Sequence, residues 1–187
     1  IGINICEDIW IEDGPAEDQV QNGASLIINI NASPYDINKS ESRKEIVKNK
    51  AAKLNVPIIY LNMVGGQDEL VFDGGSFVVN ETGEMIYQAS QFDEEVFHLD
   101  LDLLIKRSTD KSNLELRTKS LELESTVSAP TLTENESIYS ALKLGLFDYV
   151  TKNNFKKVLI GISGGIDSAL TAAICVDALG SDNVIGV

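Results

Sequence analysis

Basic side chains are scarce in this 187-residue sequence: fifteen Lys and Arg stand against twenty-nine Asp and Glu, giving a net charge of −14. That deficit argues against a nucleic-acid partner, because a phosphate backbone is gripped by clustered Lys and Arg. Cysteine is equally sparse. Cys6 and Cys175 are the two present, in unrelated contexts, and they suggest no disulfide framework. No apolar stretch approaches the roughly 20 residues of a membrane span, and no signal-peptide pattern opens the chain. A reducing, cytoplasmic setting with no membrane partner is the expectation. What is present is ordinary globular material, with 43% hydrophobic residues, enough to build a core. The length predicts one domain or two truncated ones. The chain opens on Ile1 inside one apolar run and closes on Val187 inside another, so a piece of a longer protein is expected.

The first half alternates strand-like and helix-like segments. Ile1–Ile5 and Leu26–Ile30 are short β-rich runs, and the polar stretch 12–23 between them has room for a helix. Residues 40–54 carry Ile46, Val47, Lys50, Ala51 and Leu54 at helical spacing, and Asn55 with Pro57 ends that helix. Pro57–Met63 is a third strand. Gly74–Asn80 and Glu84–Gln88 form a hairpin around Glu81-Thr82-Gly83. The alternation Val96, Phe97, Leu99, Leu101 predicts a final strand over 95–101, with His98 a structural histidine within it. Strands separated by helices, then strands in succession, imply a mixed α/β sheet. Residues 106–131 are polar, with Leu114, Leu116, Leu121 and Leu123 the sizeable apolar residues, and read as a connector.

The second half restarts on Thr133-Glu134-Asn135-Glu136, a capping box. Ile138, Leu142, Leu146, Tyr149 and Val150 then predict one apolar helical face. Lys157–Ile162 is a strand, Ala169–Leu179 a helix stopped by Gly180, and 183–187 the next strand, with Cys175 as core filling.

Between the strand at 157–162 and its helix lies Gly161-Ile162-Ser163-Gly164-Gly165-Ile166-Asp167-Ser168. It is not a Walker A loop, since no Lys follows the glycines, and the dinucleotide G-x-G-x-x-G spacing also fails. The chemistry still favours an anion. Adjacent glycines let backbone N–H groups approach a phosphate, Ser163 and Ser168 add hydroxyls, and the helix N-terminus adds partial positive charge. Asp167 beside a phosphate calls for a cation between them, for which Mg²⁺ is the economical choice. An ordinary turn capped by Asp167 and Ser168 is the plainer alternative. The run Ser163–Ser168 resembles the pyrophosphate-binding loop of the N-type ATP pyrophosphatases. That resemblance implies a doubly wound, Rossmann-like parallel sheet, ATP bound by residues 161–168, and an adenylate intermediate.

Cys6 follows the first strand directly, where a sheet enzyme presents a nucleophile; a buried structural cysteine is the alternative. Cys6-Glu7-Asp8-Ile9-Trp10 resembles the nucleophile motif of the nitrilase, or carbon–nitrogen hydrolase, superfamily. So do Asn31-Ala32-Ser33-Pro34-Tyr35 with Lys39, and the stretches Tyr60–Glu69 and Phe72–Ser76. The resemblance implies an α-β-β-α sandwich and a Glu-Lys-Cys triad with Cys6 as nucleophile. Its Glu and Lys belong to segments N-terminal to Cys6, which this sequence does not contain. It further implies a glutamine site with Ser33 and Lys39 on the α-carboxylate, Arg43 helping, and Glu7 and Trp10 lining or orienting it.

In this order on one chain, the two motifs resemble the family of glutamine-dependent NAD⁺ synthetases. The resemblance implies a ligase: Cys6-dependent hydrolysis of glutamine feeds ammonia to ATP- and Mg²⁺-dependent adenylation and amidation of deamido-NAD⁺. Residues 1–105 would be the latter part of the glutaminase, 106–132 the connector and 133–187 the start of the synthetase. Such enzymes are homo-oligomers, and these 187 residues alone are expected to be inactive. The rival readings are a stand-alone nitrilase-type amidase with a non-catalytic appendage and a non-enzymatic nucleotide-binding module.

Overall fold

The computed structural model describes residues 1–101, 104–105 and 129–187. Most of the expected connector, with its four leucines, lies outside the described residues. Strands β1 (Gly2–Ile5), β2 (Ile27–Asn31) and β3 (Ile58–Asn62) run parallel, because a helix returns the chain between each pair. These crossovers are α1 (Pro15–Gln21) and α2 (Lys39–Leu54). A hairpin, β4 (Val64–Gln67) and β5 (Leu70–Asp73), then leaves the sheet. The chain re-enters antiparallel as β6 (Phe77–Val79) and β7 (Met85–Gln88), giving the order β1-β2-β3-β6-β7.

Local chemistry sets these boundaries. Asn55 closes α2 in the left-handed conformation, at φ 55°, with Pro57 beyond it. Gly83 turns the β6–β7 hairpin at φ 82°, and a Cβ there would sit 2.6 Å from the Lys48 carbonyl of α2.

One sheet face packs on α1 and α2 through Ile27, Ile58, Tyr60, Phe77 and Val79 against Ala16, Val47 and Ala51. The stripe of α2 that meets this face also buries Arg43 and Lys50, an unusual place for cations unless each is paired. Lys50 Nζ reaches Glu17 Oε1 at 2.7 Å and the Ile11 carbonyl at 2.7 Å. It thereby holds the loop downstream of Cys6 against α2. Burial pushes the Glu17 carboxyl up, but the Lys50 hydrogen bond and charge and backbone donors outweigh it, so its pKa lies below the usual value.

The opposite face is covered at its β3-β6-β7 end, where Phe97, Leu99, Leu101, Leu104 and Ile105 pack on Leu26, Ile59, Val78 and Tyr87. The β1–β2 end is bare: Ile3, Ile5 and Ile30 are exposed.

Here the structure corrects the sequence. Residues 95–101 form no strand. The Glu95 carboxylate accepts from the Tyr87 hydroxyl and the Ser90 N–H, Val96 is solvent-exposed, and the segment crosses the sheet as cover rather than joining its ladder. His98 is exposed, not a structural histidine packed in a strand.

The second half begins with α3 (Glu134–Lys152), capped by Thr133 and Glu136 as the capping box predicts. The expected apolar face of α3 is only partly the packed one. Leu142 and Tyr149 are exposed, whereas Ala141 and Val150 are buried and Gly145 lies against the β4–β5 hairpin. Small side chains at the contact let strand and helix approach closely. Strands β8 (Val158–Ile160) and β9 (Val184–Gly186) pair in parallel across α4 (Ile166–Leu179), as a β-turn-α-β unit requires. Helix α4 starts at Ile166, three residues before the expected start, because Gly165 serves as its N-cap. Cys175 is buried, and burial pushes its thiol up. No helix among the described residues is long and apolar enough to cross a membrane.

The buried pair gives a pH signature. Since folding lowers the Glu17 pKa, its contribution is fully present above the unfolded value of about 4.3 and is lost as pH falls through the folded value. In the full-length protein, Lys50→Met leaves the buried Glu17 carboxylate with the Gly14 N–H and the half-exposed Lys53 ammonium 3.6 Å away, and is expected to cost about 3 kcal/mol at pH 7. Urea unfolding at pH 7 and below pH 4 checks this: the deficit shrinks at low pH, and a pH-independent deficit contradicts it.

Candidate active site

Cys6 occupies the turn between β1 and a 3-10 turn, Cys6–Ile9. Its φ of 48° is left-handed, a conformation rare for a residue with a Cβ and one that concentrates at functional sites. The bend is tied on both sides. Asp8 Oδ2 accepts from the Ile5 N–H at 2.8 Å, and Asn29 Nδ2 donates to the Cys6 carbonyl at 3.3 Å. The thiol-bearing residue is therefore half-buried on a sharp, braced corner at the carboxyl end of a parallel strand.

Asn29 belongs to a row of amides that the strand register aligns. Asn4 opposes Asn29, which opposes Tyr60, and Asn31 opposes Asn62. Asn29 donates to Asn4 Oδ1 at 2.8 Å, and Asn31 donates to Asn29 Oδ1 at 2.7 Å and to the Leu61 carbonyl at 2.9 Å. Asn62 Oδ1 accepts from the Ser33 N–H at 3.0 Å, and its Nδ2 donates to the Gly74 carbonyl at 3.1 Å. These four asparagines stand buried in otherwise apolar strands, all on the helix-covered face near the carboxyl ends. The signal was in the sequence, as Asn recurring in GINI, IININ and IIYLN, but it named no role for them.

Arg43 is the hub. Its Nε donates to Ser33 Oγ at 3.2 Å, and one terminal nitrogen donates to both Asp73 oxygens at 2.7 and 3.0 Å. The other terminal nitrogen donates to the carbonyls of Ser33 and Pro34, each at 2.8 Å. Five acceptors meet the five N–H donors a guanidinium owns. Arg43, Asp73 and Ser33 are all buried. The sequence grouped Ser33 with Arg43 and held Asp73 only as a member of the Phe72–Ser76 stretch, without a role; Asp73 lies thirty residues from Arg43 and reaches it through the β4–β5 hairpin.

Tyr60 stacks on Phe77 beneath this network, with ring centroids 4.8 Å apart, and its buried hydroxyl has no hydrogen-bond partner among the described residues. Burial pushes the phenol pKa up, opposed by the Arg43 charge and by Ser33, and reinforced by Cys6 and Asp73. Through the strand register Tyr60 stands beside Asn29, the residue that holds the Cys6 carbonyl. Glu7 and Trp10 are exposed beside Cys6. Lys39 is half-buried at the first turn of α2, and among the described residues its ammonium has no ion-pair partner.

At the other site, Gly164 takes φ 84° with nothing near where its Cβ would be, and Gly165 caps α4. Ser163 and Ser168 cross-brace the turn: their hydroxyls are 3.1 Å apart, and Ser168 Oγ also donates to the Gly165 carbonyl at 3.0 Å. The first-turn N–H groups of α4, at Ile166, Asp167 and Ser168, have no helical acceptor. The whole loop from Gly161 to Asp167 is exposed. Among the described residues no group of three or more His, Cys, Asp or Glu could hold a metal on its own. A lone Asp167 fits an ion shared with a nucleotide's phosphates rather than a self-contained metal centre.

The carbon–nitrogen hydrolase family model matches residues 1–108. The chain belongs to that family. The NAD synthase family model matches residues 138–187. Curated relatives named glutamine-dependent NAD(+) synthetase are similar over the whole chain, at 42% identity in Aquifex aeolicus and 44% in Thermotoga maritima. The chain spans about a third of those relatives' length, 36% in each case. The solved glutamine-dependent NAD⁺ synthetase of Acinetobacter baumannii, in complex with ADP, superposes over 98% of this chain and 32% of its own. Its TM-score is 0.81 at 36% identity. The Cytophaga hutchinsonii enzyme, at 21% identity and TM-score 0.66, shares the fold. The mixed α/β architecture expected from the sequence, a nitrilase-like part followed by the start of a synthetase, is the one these relatives share.

The five-bond arrangement around Arg43 predicts a sharp substitution pattern. A lysine is a single-headed donor that cannot span Asp73, Ser33 and Pro34 together, so Arg43→Lys in the full-length protein is expected to lose about 3 kcal/mol of stability. Denaturant midpoints measure this, and an Arg43→Lys variant as stable as wild type contradicts the network.

Proposed function

We propose that this chain is part of an enzyme that moves the amide nitrogen of glutamine onto deamido-NAD⁺. The observation that carries the proposal is the order of two sites on one chain. A braced cysteine corner comes first and a serine-glycine phosphate loop second, in a sequence similar along its whole length to glutamine-dependent NAD⁺ synthetases. A stand-alone amidase would leave the similarity of residues 138–187 to NAD synthase without use.

In the first site the Cys6 thiolate attacks the side-chain amide carbon of glutamine. The C–N bond breaks, ammonia leaves with a proton, and a γ-glutamyl thioester remains until water releases glutamate. The general base and the oxyanion-stabilising lysine of this family are read as lying upstream of Cys6. Lys39 and the Ser33 hydroxyl take the glutamine α-carboxylate, while Glu7 and Trp10 border the opening. Arg43, its donors all occupied by the protein, shapes this site through Ser33 instead of touching the substrate.

In the second site residues 161–168 hold the phosphates of ATP through first-turn N–H groups and the hydroxyls of Ser163 and Ser168. Magnesium, held by Asp167 together with those phosphates, would neutralise charge as pyrophosphate departs. The nicotinate carboxylate of deamido-NAD⁺ attacks the α-phosphate, pyrophosphate leaves, and ammonia then displaces AMP to give NAD⁺. Activation as an adenylate is needed because a carboxylate is a poor electrophile. Residues 1–105 and 133–187 belong to these two functions, joined by 106–132, within a cytoplasmic homo-oligomer.

The test is NAD⁺ formation by the full-length protein from deamido-NAD⁺ and ATP, with glutamine or ammonium as nitrogen source. Cys6→Ser is expected to abolish glutamine-supported synthesis, by about 10³-fold or more, and to retain ammonium-supported synthesis. Undiminished glutamine use by Cys6→Ser, or no pyrophosphate released by the wild type, overturns the proposal.

A further inference from the structure

The first helix of the synthetase-like half sits on the two segments that frame the candidate glutamine site. Near its end, α3 clamps one residue of β4 by both its backbone N–H and its carbonyl. The Gly66 N–H donates to Asp148 Oδ2 at 2.6 Å, and Lys152 Nζ donates to the Gly66 carbonyl at 2.6 Å. Asp148 and Lys152 are themselves an ion pair at 2.9 Å, one helical turn apart. The fit needs two glycines in the strand. A Cβ on Gly65 would lie 3.1 Å from Asp148 Oδ2, and one on Gly66 would lie 3.1 Å from Asp148 Cβ and 3.2 Å from Gly145 Cα.

The clamp is short-wired to the site. Gly66 pairs with Val71 across the hairpin, and the Val71 carbonyl accepts from the Tyr35 N–H at 2.7 Å. Tyr35 follows Ser33 and Pro34, whose carbonyls hold Arg43. Two residues beyond Val71, β5 ends on Asp73, the partner of Arg43. Near the start of α3, the Ser137 hydroxyl donates to the Tyr35 hydroxyl at 2.9 Å, so the helix also touches the Ser33–Tyr35 segment directly. Fifteen residues separate Ser137 from Lys152, roughly 22 Å of helix laid along the hairpin.

We propose that Asp148 and Lys152 are positioning residues for the amide-hydrolysing site, acting through Gly66 and Val71 on the Ser33–Tyr35 segment. The assignment rests on the function proposed above. A helix outside the first site thus fixes where Ser33 presents its hydroxyl to the glutamine carboxylate. Removing the clamp weakens substrate capture and leaves Cys6 chemistry intact, which separates it from a general structural role.

The experiment measures glutamine hydrolysis and ammonium-supported NAD⁺ synthesis in the full-length protein. Wild type, Asp148→Ala, Asp148→Asn and Lys152→Met are compared, with Cys6→Ser as the blank. Asp148→Ala is expected to raise KM for glutamine about 10-fold with kcat within about 2-fold, and Lys152→Met to raise it about 3-fold. Asp148→Asn keeps an acceptor for the Gly66 N–H and recovers most of the loss. Ammonium-supported synthesis stays within about 2-fold of wild type. An unchanged glutamine KM in both Asp148→Ala and Lys152→Met overturns the assignment, and so does a parallel fall of both activities. A wild type that hydrolyses no more glutamine than Cys6→Ser instead defeats the underlying functional reading, so the two failures are distinguishable.

Discussion

A guanidinium buried in a protein is tolerable only when every donor finds an acceptor, and Arg43 meets that condition with five. Much of the first half is arranged by this requirement. Asp73 must arrive from the end of the β4–β5 hairpin, and the carbonyls of Ser33 and Pro34 must turn inward from the loop after β2. The segment that carries Ser33 is thereby fixed between α2 and the hairpin. Lys50 applies the same logic seven residues along α2, where Glu17 and the Ile11 carbonyl tie down the loop that follows Cys6. One helix, through two buried cations, secures both the loop after Cys6 and the candidate substrate segment.

Between these anchors the sheet presents a polar end on an apolar body. Parallel strands bring Asn4, Asn29 and Tyr60 into register, then Asn31 and Asn62 one step further toward the carboxyl ends. Each amide follows an Ile or Leu in its strand, and all four are buried on the helix-covered face, whose core they border. Low dielectric strengthens such bonds when they are complete and makes an incomplete one costly, which favours a single arrangement. Cys6 rests on this row through the Asn29 amide. Its left-handed backbone can be held there because the surrounding bonds leave it no alternative.

Much of this was readable beforehand. Period and capping located the strands, α2 with its Asn55 and Pro57 stop, and the Thr133 box of α3, since these depend on local chemistry. Cys6 with Ser33, and the loop 161–168, were legible as motifs because their residue types are unusual where they stand. Asp73 stood in the legible stretch Phe72–Ser76, but its role was not readable, because its partner lies thirty residues away and only the hairpin topology joins them. The hairpin itself was hidden in Val64-Gly65-Gly66-Gln67, whose glycines give no strand signal but make room for Asp148. The segment 95–101 misled for the opposite reason. Its alternation is genuine, and Phe97, Leu99 and Leu101 do pack on the core, but its backbone crosses the sheet face and pairs with no described strand, although β7 is an edge. Alternation reports which side chains are buried, not whether a ladder forms.

The central claim is that the braced Cys6 corner and the Arg43-held segment together form a site for glutamine. Rapid acid quenching of the full-length protein with glutamine, followed by peptide mass spectrometry, tests it most directly. The account predicts a glutamyl adduct on the peptide that contains Cys6, labile to hydroxylamine as a thioester must be. An adduct on Cys175 instead, or none during active turnover of glutamine, would contradict it.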